Sequence, residues 1–376
     1  MPGFLFGLLA PVLAGSGVGR TAVGVLVGLF FGATGLGSVA AGRLTERIGA
    51  RAAVVADLSV LACGLLVAAA VGEYAALAVV AVVCGAGYAL TNTGTTLAVA
   101  AAVPAAARTR VMAVRTAGIP ALVVVASLGA GPVAAVTGWR LLLGLLAVPV
   151  VLVAAAAWRV LPGASPPGVR RAVGPGRSGL PVGFGWFPVA AFLLITGSQP
   201  VMVWSVSFLG DGLAVPVPTA GLLAALVSVA GVVGVLVMAA RSRGGSARIL
   251  GSRAAIACAV AALGSLLLAG SVAIGAAGPV VGVLGLTLAT VAHLLAVGLL
   301  HALVVAAAPA AAARAAGVTM TGYFVGALVS APVFGAVVDT RGWATAWIAC
   351  AALVAAAACA VLRCGSLTDT PEPTHP

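Results

Sequence analysis

Lysine is absent from this 376-residue sequence, and only seven residues are acidic. Charged side chains make up 7% of the chain, against roughly 25% in soluble domains. So few charges cannot cover the surface of a soluble globule of this length. The six cysteines are Cys63, Cys84, Cys258, Cys350, Cys359 and Cys364; none forms a C-x-x-C pair, and all but Cys364 lie in apolar runs. Neither a disulfide framework nor a zinc site is indicated, and no metal or cofactor is expected. The first apolar run lacks the basic n-region of a secretory signal. A net charge of +12 invites a nucleic-acid reading, but the 19 basic residues are all arginines scattered over short loops. Nucleic acid is therefore excluded as a partner.

What is present is apolar: 62% hydrophobic residues, a mean hydropathy of +1.25 and 51 glycines. The apolar runs are about 15 to 25 residues long, enough to cross a hydrocarbon core of about 30 Å as helices. Helices satisfy their own backbone hydrogen bonds in lipid, and abundant Gly and Ala suit close helix packing there. The pattern predicts an all-α polytopic membrane protein with twelve spans, near 3–18, 21–41, 52–71, 75–99, 111–135, 140–160, 185–208, 217–240, 250–271, 278–304, 315–337 and 342–363. Sixteen arginines fall on one set of loops; only Arg20, Arg140 and Arg341 fall on the other. By the positive-inside rule the first set is cytoplasmic, as are both termini. Glu73, Asp211 and Asp339 fall outside. The expected setting is the cell inner (plasma) membrane.

The stretch 161–182, "LPGASPPGVRRAVGPGRSGLPV", has no helical periodicity and reads as a cytoplasmic linker. It separates a six-span bundle, 1–160, from a second, 183–363, followed by a tail, 364–376. The bundles echo each other. "PAAARTR" at 104–110 answers to "PAAAARAAG" at 309–317, and "GPVAAVTGW" at 131–139 to "APVFGAVVDTRGW" at 331–343. Two matches in the same order indicate duplication, as in transporters with a site between two repeats.

The loop between spans two and three reads Gly42-x-x-x-Glu46-Arg47-x-Gly49-x-Arg51. It resembles the signature loop of the major facilitator superfamily, at the same place in a 6+6 layout. The resemblance covers essentially the whole chain. It implies two pseudo-symmetric six-helix bundles, alternating access, and a charge latch in this loop, making Gly42, Glu46, Arg47, Gly49 and Arg51 gating candidates. Gly42 and Gly49 would allow a tight turn. The other reading of the loop is a topology anchor. The equivalent loop of the second half, 234–248, keeps Gly234, Arg241 and Arg248 but has no acid.

Polar residues inside spans are costly and face interiors or cavities. Tyr88 and Asn92 share a face of span four, beside Thr91; Ser198, Gln199 and Trp204 lie on span seven. The resemblance implies that spans one, four, seven and ten line a central cavity, so Tyr88, Asn92, Gln199 and Trp204 are substrate-binding candidates; helix–helix hydrogen bonding is the alternative. Arg115 lies five residues beyond Arg110, and "RTAGIP" at 115–120 resembles a stretch of a cyanate-transporter-like branch, with Arg and Thr in place of Lys and Gln. Its guanidinium can bind an oxyanion bidentately or snorkel to headgroups. His293 and His301, near one face of span ten, are candidates for proton coupling or for packing. No acid is read as deep in a span, with Asp57 about four residues from the start of span three. Facilitated diffusion and coupling through histidine both stay open. Gly129, Gly131 and Pro132 resemble part of an antiporter motif and read as a hinge.

The leading expectation is a monomeric transporter of a small solute, a small anion, with protons as a candidate co-substrate and the lipid bilayer as its surroundings. Efflux of hydrophobic compounds is the alternative; a membrane enzyme, for which no constellation is visible, and a transport-dead sensor rank below both. Span one offers about 14 good apolar residues, Met1 to Ala14, where roughly 20 are needed. The expectation there is that the natural span starts upstream of Met1.

Overall fold

The computed structural model describes residues 2–128, 134–161, 180–241, 246–308 and 311–366. Among these residues every regular element is helical. Span one is Pro2–Leu8 followed by Ala10–Ala14. The interruption at Leu9 precedes Pro11, whose ring suits a first helical turn.

Spans two and three form one helical path, Arg20–Val71, 52 residues long. Straight, it would reach about 78 Å, far more than one crossing. It bends at Gly49, where φ is 86° and ψ is 164°. That backbone region is essentially reserved for glycine. Spans eleven and twelve repeat the device: Ala312–Ser366 bends at Gly342, with φ 82° and ψ 170°. Gly138, before Trp139, adopts φ 78° and ψ 154°. The two Gly-Trp pairs of the sequence echo thus share a conformation, with an extended ψ after a positive φ. Gly42, expected to share the first turn, instead sits inside the helix with open space about it. The turn is Gly49 alone.

The remaining spans are Tyr74–Ala102, Ala105–Leu128, Trp139–Val160, a broken seventh, then Val217–Arg241, Ala247–Ser271 and Gly278–Ala307. The seventh runs Trp186–Ser198 and Pro200–Ser207 and ends in a π turn, Phe208–Gly212. Pro200 has no N–H to continue the ladder. Among the described residues, eight helices are long and apolar enough to cross a membrane. Two of these bend into paired arms, and spans one and five complete twelve. The linker from residue 162 to 179, the Gly129–Pro132 stretch and the tail beyond Ser366 lie outside the described residues.

The two halves meet along three pairs: spans one and seven, two and eleven, and five and eight. Glycine makes the first two close. A Cβ on Gly24 would fall 2.5 Å from the Ala331 carbonyl oxygen, and one on Gly28 the same distance from that of Leu328. On span one, a Cβ on Gly7 would fall 2.4 Å from the Val203 carbonyl. The contact of spans two and eleven does not run their full length. Leu36, one turn beyond Gly32 on the same face, is 90% exposed, and Val39 is 68% exposed. The halves therefore touch at the end bearing Arg20 and part at the end bearing the signature loop.

Candidate functional site

At the closed end the sequence leaves span two without a cap of its own, since Gly19 has no side chain to accept the first N–H groups. The other half supplies one. The Thr21 backbone N–H donates to Asp339 Oδ2 at 3.3 Å, and its hydroxyl donates to the same oxygen at 2.9 Å. Arg20 donates from Nη2 to Asp211 at 2.6 Å and from Nη1 to Asp339 at 3.4 Å. The guanidinium also lies 5.5 Å from the Trp343 ring centre. An anion at a helix N-terminus and a cation over an aromatic face are each favourable. Below lies an aromatic layer. Phe208 meets Trp343 and Trp347 edge-on at 5.4 and 5.3 Å, Phe334 meets Trp347 at 4.7 Å, and Trp204 stacks on Phe334 at 6.2 Å.

This layer relocates one expected substrate residue. Trp204 is fully buried in the aromatic core and opens onto no cleft. Gln199 is buried too, at the break before Pro200, and its Nε2 has no partner among the described residues. In this state neither faces the gap between the halves.

Tyr88, Asn92 and Arg115 do come together. Tyr88 packs on Phe30 with ring centres 5.7 Å apart. Span four sets Asn92 and Thr95 on one side, and span five brings Arg115 to them. Arg115 Nε donates to Thr95 Oγ1 at 2.7 Å; Nη2 donates to the Asn92 carbonyl at 3.1 Å and to its side-chain oxygen. The guanidinium is half-buried and turned onto span four. Its Nε and Nη2 donors are occupied, so a bidentate grip on a solute would require Asn92 to yield. Nη1 carries no hydrogen bond among the described residues. Thr45 and Thr93 meet at 2.8 Å, which sets this group toward the signature-loop end, on the open side of the contact between Gly35 and Phe324. From the other half Tyr323, beside Phe324, lies near enough to interact electrostatically with Tyr88.

The two histidines differ. His293 is buried, with Nδ1 2.6 Å from Ser198 Oγ. The Ser198 hydroxyl donates to the Leu194 carbonyl, so Nδ1 of His293 is the donor. That bond ties span ten to span seven. His301 is exposed; Nδ1 donates to the Val297 carbonyl at 2.9 Å, and Nε2 faces the Met320 sulfur at 3.3 Å. A thioether is a weak acceptor, so Nε2 is poorly satisfied unless it carries a proton.

Of the gating candidates, Gly49 makes the turn and Arg51 stays within its own half. Arg51 Nε donates to the Leu161 carbonyl at 2.7 Å, and the guanidinium lies 5.8 Å from the Trp158 ring centre. Glu46 and Arg47 are exposed. Sequence reasoning missed the grouping of Arg20, Thr21, Asp211 and Asp339; the arginine count places them on one face but does not pair them.

A family model, the Major Facilitator Superfamily, matches residues 1–330. The chain belongs to this superfamily. It is a multi-pass membrane transporter and not an enzyme. No curated protein matches the sequence. Among solved structures it is similar to the xylose transporter XylE of E. coli in a partially occluded inward-open conformation. The TM-score is 0.73 at 15% identity, with 95% of each chain covered. It is similar as well to a D-xylose-proton symporter, with TM-score 0.73, 16% identity, and 96% of this chain and 94% of that one covered. At such identities the likeness speaks for the fold alone.

Proposed function

We propose that this superfamily member moves a small anion by alternating access, and that Arg115 contacts the cargo. One observation carries the reading: a guanidinium inside the span region, held in place by Asn92 and Thr95, keeps Nη1 unclaimed on the open side. A fixed cation of this kind attracts an oxyanion and pays little to be ordered. Tyr88 and Asn92 frame it. His301, exposed and with Nε2 facing only sulfur, is the histidine that suits proton exchange; His293 serves as a brace. Glu46 and Arg47 are proposed to close the open end in the opposite state.

Uptake of labelled formate, cyanate and bicarbonate into proteoliposomes tests this. Arg115→Ala lowers uptake at least tenfold, the scale of one lost charge-assisted hydrogen bond, about 1.5–3 kcal/mol; Arg115→Lys retains part of it. Equal uptake by the parent and Arg115→Ala removes Arg115 from the site. Export of hydrophobic dyes without anion uptake would favour the efflux reading.

The arginine bias supports a cytoplasmic signature-loop end, which makes the state described here open inward. Reporters fused at Ser165 and after Ser366 are expected to read cytoplasmic; an outside reading at either overturns the orientation.

A further inference from the structure

Asp57 is the acid that the sequence reading placed near the surface. The helix resumes directly after Gly49, so Asp57 stands eight residues, about 12 Å, beyond the turn. It is 4% exposed. A Cβ on Gly87 would fall 2.7 Å from its Oδ1, so the carboxyl is pressed against the span-four backbone. The Thr91 hydroxyl lies beside it. Among the described residues it has no basic partner. Among the described residues the titratable groups facing it are Cys84 and Tyr88 on span four, with Cys63 on its own helix beyond Cys84. An ionised carboxylate so deeply buried is a costly arrangement. A protonated one loses nothing and gains a donor.

Arg115, on span five, is hydrogen-bonded to the same span four. Span four joins the two: the Thr95 hydroxyl that accepts from Arg115 donates to the Thr91 carbonyl at 2.6 Å. Thr91 and Thr95 are one turn apart, about 6 Å along the axis. A cation favours the ionised form of a nearby acid, so Arg115 opposes the proton on Asp57. An anion that neutralises Arg115 removes that opposition, and by linkage each then favours the other.

We propose that Asp57 is an intramembrane proton site, protonated in this state and linked through span four to the charge of Arg115. The step is simple: Asp57 holds its carboxyl proton more tightly while an anion neutralises Arg115 and releases it more readily when the site empties. The link to a cargo anion rests on the reading of Arg115 above; the proton site and its link to the Arg115 charge do not.

Infrared spectroscopy of the full chain in lipid tests both without any substrate. Carbon-13 labelling of aspartate identifies the band, because the chain has only Asp57, Asp211, Asp339 and Asp369. The expected result is a protonated-carboxyl band near neutral pH that is absent from Asp57→Asn and retained, shifted, in Asp57→Glu. It disappears at alkaline pH in the parent and persists about one pH unit higher in Arg115→Ala, with Arg115→Lys like the parent. No such band, or one that never titrates, overturns the proton site. An unchanged midpoint in Arg115→Ala overturns the linkage. A normal band and midpoint shift together with no anion uptake by the parent would fail the cargo reading alone.

Discussion

The two ends of this bundle are built differently. At the Arg20 end the halves hold each other: Arg20 and Thr21 of one meet Asp211 and Asp339 of the other over a layer of Trp and Phe. At the signature-loop end Arg51 meets Leu161 and Trp158, all within one half. Arg51 of the motif therefore braces its own half in this state, while the Arg20 cluster, which no motif marks, joins the two halves. A charged loop conspicuous in sequence and a charge cluster that holds two halves together need not be the same thing.

The largest effects expected are backbone ones, and they test how far the two ends are alike. Gly49 and Gly342 share one conformation at opposite ends. Each Gly→Ala variant is expected to lose about 1–3 kcal/mol, the usual cost of holding a non-glycine residue in such a region. Thermal unfolding in detergent checks this. A large loss for one and none for the other would show that the turns only look equivalent.

Next come the acids of the closed end. Asp339 accepts from Arg20 and twice from Thr21, whereas Asp211 accepts from Arg20 alone. Asp339→Asn should shift the balance toward opening at this end by about 1 kcal/mol, roughly fivefold, and Asp211→Asn by less, since both groups are about a third exposed and screened. Labelling of a cysteine introduced at Tyr74 reports the opening. Glu46→Gln, at the far end, serves as the contrast and should leave this labelling unchanged.

The comparison also shows what could be read from sequence. Spans, the linker and the duplication follow from hydropathy and from local strings such as Gly138-Trp139 and Gly342-Trp343. The group of Tyr88, Asn92 and Arg115 was legible because polar residues in apolar helices stand out. The Arg20 cluster was not, since its partners lie 191 and 319 residues away and pair only through packing. Asp57 was misplaced because span three was begun at residue 52 rather than at the Gly49 turn. Trp204 looked like a cavity aromatic, yet the span-seven break turns it into the core; nothing in its neighbours' identity signals that.

The central claim is that the Arg20 cluster holds one end shut while the other stands open. Spin labels on Glu73→Cys and Arg341→Cys straddle the closed end; both sites are exposed and outside the cluster's contacts. With the six native cysteines replaced, pulsed dipolar distances in lipid should show a short population that Arg20→Ala converts largely to a longer one. An unchanged distance distribution in Arg20→Ala would contradict the account.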